Sequence, residues 1–141
     1  MQWDIFCRVV DNFGDAGVSW RLARQLAHEH GLAVTLWIDD IPSLARIAPA
    51  LDAHRDDQAA AGVRVRRLAG DFVPEAPLPD VVVEAFGCNP PANFVDAMAK
   101  APPVWINLEY LSAEDYVERN HGLPSPQPSS FGALTKWFFY P

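Results

Sequence analysis

Apolar and polar positions follow two periods along this chain, and they alternate by segment. Trp3 to Val10 is largely apolar and runs into an Asp-Asn pair, which predicts a first strand. Val18, Leu22 and Leu26, with Trp20, Ala23 and Ala27, recur at helical spacing and predict a helix over Val18 to His30. Gly31 suits the left-handed residue that closes such a helix. Leu32 to Ile38 predicts a second strand. Asp39-Asp40-Ile41-Pro42-Ser43 ends it, with Ser43 the expected N-cap of a short helix over Leu44 to Ile47. A further helix is expected from Pro49 to Ala60. Val63 to Leu68 predicts a third strand, and Ala69 to Pro79, with three prolines, a loop. Asp80 to Phe86 contains Val81-Val82-Val83, the run expected of a strand buried on both faces of a parallel sheet. Ala92 to Lys100 predicts a helix, and Pro103 to Leu108 a fifth strand. Ser112 is the expected cap of another helical turn, with Asp115 at the capping-box position. Residues 121–132 are rich in Pro, Ser and Gly and predict irregular chain. Leu134 to Pro141 is strongly apolar and aromatic, an ending that reads as a fragment cut where a second domain would begin.

Strands alternating with helices predict an α/β fold, a Rossmann-like doubly wound parallel sheet. Functional groups in such sheets collect at the carboxyl ends of the strands. Those ends are Asp11 to Gly17, Asp39-Asp40, Glu84 to Asn89, and Asn107 to Tyr110. The first is the richest: it carries Asp11 and Asp15, four residues apart, with Gly14 and Gly17. If the turn winds into the helix there, both acids point the same way, close to N–H groups that favour negative charge. Caps and backbone relief explain such residues equally well on residue type alone. The convergence of acids at several strand ends favours function. Gly14 and Gly17 are expected to keep the turn low so that a large substrate reaches the acids. The stretch lacks the glycine spacing of a dinucleotide fingerprint and the Lys-Ser/Thr of a phosphate loop.

Composition narrows the classes. The chain has 141 residues, half of them apolar, and a formal net charge of -7. That length suits one domain with a proper core. No apolar run approaches the roughly 20 residues needed to span a bilayer, and the first residues lack a basic signal region. A soluble cytoplasmic protein, with neither membrane nor nucleic acid as partner, is the expectation; the acidity suits a basic partner. Cys7 and Cys88 fit small buried hydrophobes rather than a disulfide framework. The four histidines show no metal-ligand spacing, so no metal is expected. Arg64, Arg66 and Arg67 read as a solvated strand face, and Asp39-Asp40 as turn chemistry. Trp20, Trp105 and Trp137 read as core, and Ser19 as either a local hydrogen-bonding group or an exposed helix serine.

Several blocks together resemble a known family. Trp3-Asp4-Ile5-Phe6-Cys7 and Val10 to Leu26 look like the start of the protein-arginine rhamnosyltransferases of elongation factor P, the EarP family. Trp105 to Glu114, His121 to Pro126 and Leu134 to Phe139 extend the resemblance over essentially the whole chain. It implies the N-terminal, acceptor-side domain (residues 1–141) of an inverting GT-B glycosyltransferase, with the donor-binding domain absent from this chain. The reaction implied moves L-rhamnose from dTDP-β-L-rhamnose to an arginine of elongation factor P, with no metal or cofactor. The resemblance supports Asp15 as general base and Asp11 as its supporting acid. Asn12, Phe13, Gly14, Gly17 and Ser19 are the expected acceptor-side residues, joined by Asn107, Glu109 and Tyr110, which serve either the acceptor side or structural hydrogen bonding. The alternatives are a non-catalytic acidic module that binds a basic protein and, more weakly, a nucleotide-binding domain.

Overall fold

β1 (Gln2–Cys7) forms the middle of the sheet because both of its faces are covered. Ile5 and Cys7 point to one side and Phe6 to the other, all three fully buried. The computed structural model describes residues 1–10 and 13–141; Asp11 and Asn12 lie outside the described residues. Helix α1 (Gly14–His30) leads to β2 (Ala33–Ile38), and α2 (Ile41–Ile47) leads past β3 (Asp57–Ala60) to β4 (Val63–Arg67). A long loop then crosses to β5 (Val81–Ala85). Helix α3 (Ala92–Lys100) leads to β6 (Val104–Leu108). Helix α4 (Tyr116–Asn120), β7 (Pro124–Ser125) and a 3-10 turn (Ser129–Phe131) precede β8 (Lys136–Phe139).

The strand order is β3-β4-β2-β1-β5-β6-β8-β7. Six neighbours, β4-β2-β1-β5-β6-β8, are parallel, and an antiparallel strand closes each edge. Numbered among themselves, the parallel strands run 3-2-1-4-5-6, the order of a Rossmann-like doubly wound sheet. The direction of travel reverses between β1 and β5, so their carboxyl ends flank a crevice.

Period-2 alternation divides the core into two layers. Ile5, Cys7, Leu36, Ile38, Val83 and Ala85 pack with α1 and α2. Phe6, Trp37, Val82 and Trp105 pack with α3 and the long loop. Phe72 of that loop sets its ring edge-on to Trp37, with centroids 4.8 Å apart. The Arg66 guanidinium lies 4.3 Å over the other ring system of this contact, Trp37. Arg66 is therefore partly covered and ion-paired to Glu75 at 2.8 Å, while Arg64 and Arg67 remain solvated.

Several expectations are corrected. No helix spans Pro49 to Ala60: Asp57–Ala60 is a strand, paired to β4. The Gln58 side chain ties it to the preceding turn, donating to Asp52 O and Arg55 O and accepting from Asp52 N. Asp40, not Ser43, caps α2, because its carboxylate accepts from both Ser43 N and Ser43 Oγ. Ser112 Oγ accepts from Glu114 N in a turn, and α4 starts later, after Asp115. β1 stops at Cys7 rather than Val10, since Val9 N donates to Asp39 instead of a neighbouring strand. α1 starts at Gly14, four residues before the expected Val18. The irregular tail contributes β7, and the aromatic run contributes β8. Trp20 and Trp105 are core, but Trp137 is 42% exposed, because β8 turns alternate residues away from the covered face.

Candidate active site at the β1–β5 crevice

Asp15 lies in the first turn of α1, immediately above the end of β1, and is only 2% exposed. Helix α1 has Phe13 as N-cap residue with no side-chain cap bond, so Asp15 is the acid of this helix start. Its two oxygens have different partners. Oδ1 accepts from the Tyr110 hydroxyl at 2.8 Å, across 95 residues of sequence. Oδ2 accepts a long bond, 3.3 Å, from Val10 N.

Tyr110 reaches Asp15 because it follows β6, two strands away from β1, and leans back across the end of β5. Its ring stacks on Phe86, with centroids 4.0 Å apart and planes 7° from parallel. Phe86 is the residue after β5, so the ends of β1, β5 and β6 converge here. Below this contact, Asn107 accepts from Gly87 N at 2.9 Å and donates to Glu109 at 2.7 Å. Glu109 N donates to Phe139 O, which joins the loop to β8. Asn107 is thus buried and holds the turn after β5 against the turn after β6, whereas Glu109 and Tyr110 stand toward the rim.

Each expected residue can now be placed. Asp11 and Asn12 lie outside the described residues, and with them the expected pairing of Asp11 and Asp15. Phe13 is exposed at the start of α1, with the Arg46 guanidinium 6.0 Å from its ring. Gly14 opens α1. Gly17 is within α1 and does not shape a turn; a methyl group there meets Ile47 at an ordinary 3.6 Å. Ser19 is fully buried, so it is not an exposed helix serine. Its hydroxyl sits beside the Cys7 thiol, and Oγ has no well-formed bond among the described residues. Asp39 and Asp40 do turn chemistry: Asp39 accepts from Val9 N and Asp40 caps α2.

Sequence reasoning missed Phe86 and the role of Glu84. Phe86 carried one signal, a bulky residue before Gly87 at a strand end. Glu84 is not a free strand-end acid: it is inside β5, wholly buried and paired with Lys136 at 3.1 Å. It also accepts from Asn89 N, so it organises the turn after β5 rather than facing substrate. Burial pushes the Cys7 thiol up to about 11 and the Cys88 thiol up to about 12. Neither is a thiolate nucleophile at neutral pH. Among the described residues no three His, Cys, Asp or Glu side chains are grouped to hold a metal ion. No described helix is long and apolar enough to cross a membrane. Among the described residues the arrangement offers a buried carboxylate, hydrogen-bonded by a phenol, at the strand-order switch point: a group able to accept a proton or bind a cationic donor.

The family model described as elongation factor P (EF-P) rhamnosyltransferase EarP matches residues 3–141. The chain is 56% identical over 141 residues to a protein-arginine rhamnosyltransferase of Pseudomonas putida, covering 99% of this chain and 36% of that protein. It is 51% identical over 142 residues to the protein-arginine rhamnosyltransferase of Pseudomonas aeruginosa, covering 99% and 37%. The counterpart in Shewanella oneidensis is 44% identical over 151 residues, covering 99% and 36%. The chain spans just over a third of the length of these curated relatives.

Proposed function

The chain belongs to the EarP family of elongation factor P rhamnosyltransferases, and from that premise we propose that it is the acceptor-side, N-terminal domain of an inverting GT-B glycosyltransferase. The full-length enzyme moves L-rhamnose from dTDP-β-L-rhamnose to an arginine of elongation factor P. The donor is held mainly by the domain that follows. An acceptor that serves translation places the reaction in the cytoplasm. The observation that carries this reading is the Asp15 carboxylate, buried at the strand-order switch point with a phenol fixing one of its oxygens.

The chemistry sets what Asp15 must do. A guanidinium is planar, always charged and a poor nucleophile, but its fork matches a carboxylate. Asp15, with Asp11 supporting it, holds the acceptor arginine and turns one nitrogen toward the anomeric carbon. The new C–N bond forms on the face opposite the dTDP leaving group, whose C–O bond breaks, so configuration inverts. A carboxylate cannot deprotonate a resting guanidinium. The attacking nitrogen becomes much more acidic as the bond forms, and its proton then passes to Asp15. Phe13, Glu109 and Tyr110 at the rim contact the acceptor.

The test is single-turnover transfer by the full-length enzyme carrying Asp15→Ala. The expected loss is about 10²–10⁴-fold, the usual range for a general base. A near-normal single-turnover rate would remove Asp15 from the mechanism. It would favour a module that binds a basic partner and leaves the chemistry to other residues.

A further inference from the structure

Phe86 stands where the backbone favours another residue. Its φ is 57°, in the left-handed region in which a Cβ crowds the neighbouring carbonyl and glycine is the usual occupant. Gly87, immediately after it, adopts the same region with φ of 64°. A phenylalanine held in that conformation costs more than a glycine, so its ring must supply something in return.

Its contacts show what that is. Phe86 N donates to Leu108 O at 2.7 Å, which continues the β5–β6 ladder by one bond and anchors the backbone. The ring then lies flat on Tyr110, 4.0 Å away. The Tyr110 hydroxyl donates to Asp15 Oδ1 at 2.8 Å. Tyr110 is half exposed on the loop after β6, and the flat Phe86 ring lies along one face of its own. Offset or parallel aromatic contact fixes the plane of the Tyr110 ring, and the phenol then fixes the carboxylate.

We propose that Phe86 is a positioning residue for Asp15, acting through Tyr110. The stacked ring sets the direction of the phenol O–H, and the O–H sets the rotation of the carboxylate, so that its remaining lone pairs face the crevice. This rests on the reading of Asp15 as the base that serves the acceptor arginine. Phe86 also packs against the α1-side core, so a purely structural role must be separated from a positioning one.

A double-mutant cycle in the full-length enzyme separates them, with elongation factor P and dTDP-rhamnose as substrates. Phe86→Leu and Tyr110→Phe are each expected to lower kcat about tenfold, the size of one charge-assisted hydrogen bond. KM for the acceptor should change little in Phe86→Leu, which leaves the Tyr110 side chain in place. The double variant should be no worse than either single one, because both remove the same constraint. Phe86→Tyr, which keeps the stack, should restore the wild-type rate. Phe86→Gly, which suits the left-handed backbone, replaces the leucine variant if that one unfolds. Losses that multiply in the double variant overturn the proposal. A second readout does not depend on turnover: the ¹³Cζ resonance of Tyr110 should move in both Phe86→Leu and Asp15→Asn. If Asp15→Asn transfers rhamnose normally while Phe86→Leu still moves that resonance, the base reading fails and the positioning contact stands. If Asp15→Asn is inactive while Phe86→Leu moves neither resonance nor rate, the role of Phe86 fails alone.

Discussion

Two buried aspartates, one within β1 and one just past its carboxyl end, have different surroundings. Asp4 sits within β1 and is 5% exposed; Asp15 follows β1 and is 2% exposed. Asp4 points into the aromatic layer beneath the long loop, where it accepts from Trp37 Nε1 at 3.0 Å and from Gln2 Nε2 at 3.4 Å. Burial holds its carboxyl above the ordinary value of 3.8, against the opposing pull of the Trp37 and Gln2 bonds and of Arg66. Asp15 lies at the carboxyl edge, above the crevice, and its main partner is a tyrosine hydroxyl delivered by another strand end. Burial is thus common to both, and position in the sheet distinguishes them. An acid inside a strand ends in the core, whereas one just past the strand's carboxyl end meets the loops of its neighbours.

The largest expected effect sets these two acids against each other in the full-length enzyme. Asp15→Asn should lower kcat about 10²–10⁴-fold with little change in melting temperature. Asp4→Asn should leave transfer near wild type. Equal losses in rate would break the distinction between a core acid and a crevice acid.

A third buried acid sharpens the comparison through stability. Glu84 is covered completely, and Lys136 supplies its counter-charge at 3.1 Å. Lys136→Met leaves that carboxylate unpaired and should cost about 3–5 kcal/mol, read from urea unfolding. Adding Glu84→Gln should recover much of the loss. No recovery would mean that Lys136 acts through its packing over the Trp105 ring, 4.7 Å away, rather than through charge.

A smaller effect concerns pH. The Asp4 value is raised on folding, so its contribution is fully present below 3.8 and is lost as pH rises through the raised folded value. Asp40 and Asp57 behave oppositely. Hydrogen bonds from Ser43 and Arg64 lower their values, so their contributions are present above 3.8 and disappear as pH falls through the lowered ones. The urea midpoint of Asp4→Asn relative to wild type should therefore rise with pH across the window just above 3.8. A constant difference across that window would assign no titration to Asp4.

The smallest effect tests whether Gly17 belongs to the site at all. It is helical, and an added methyl meets Ile47 at ordinary contact distance. Gly17→Ala should stabilise the domain by about 0.5–1 kcal/mol, the helix preference for alanine, and leave transfer unchanged. A drop in acceptor affinity would place Gly17 in the substrate-binding set.

Local pattern determined much of this molecule. Val81-Val82-Val83, the Val18–His30 periodicity and Gly31 each carry their conformation in a short window, so α1's end, α3 and the parallel strands β1, β2, β4, β5 and β6 were legible in the chain. Gly31 does close α1 with φ of 63°, and α3 spans Ala92–Lys100 as its periodicity predicts. The first strand end is where the fold class leads one to expect chemistry, and Asp15 does lie there. β3 was not legible, because Asp57-Gln58-Ala59-Ala60 is strand only by virtue of its pairing with β4. β8 was not, because an apolar aromatic run says it will be covered without saying by what. Within the site, the sequence by itself determined that Asp15 stands where a strand passes into a helix. Tertiary structure alone decided that Tyr110, 95 residues away, would orient it and that Phe86 would carry Tyr110. The reason is physical: residues on separate strand ends meet only when parallel register brings those ends level, and no local window of sequence contains that register.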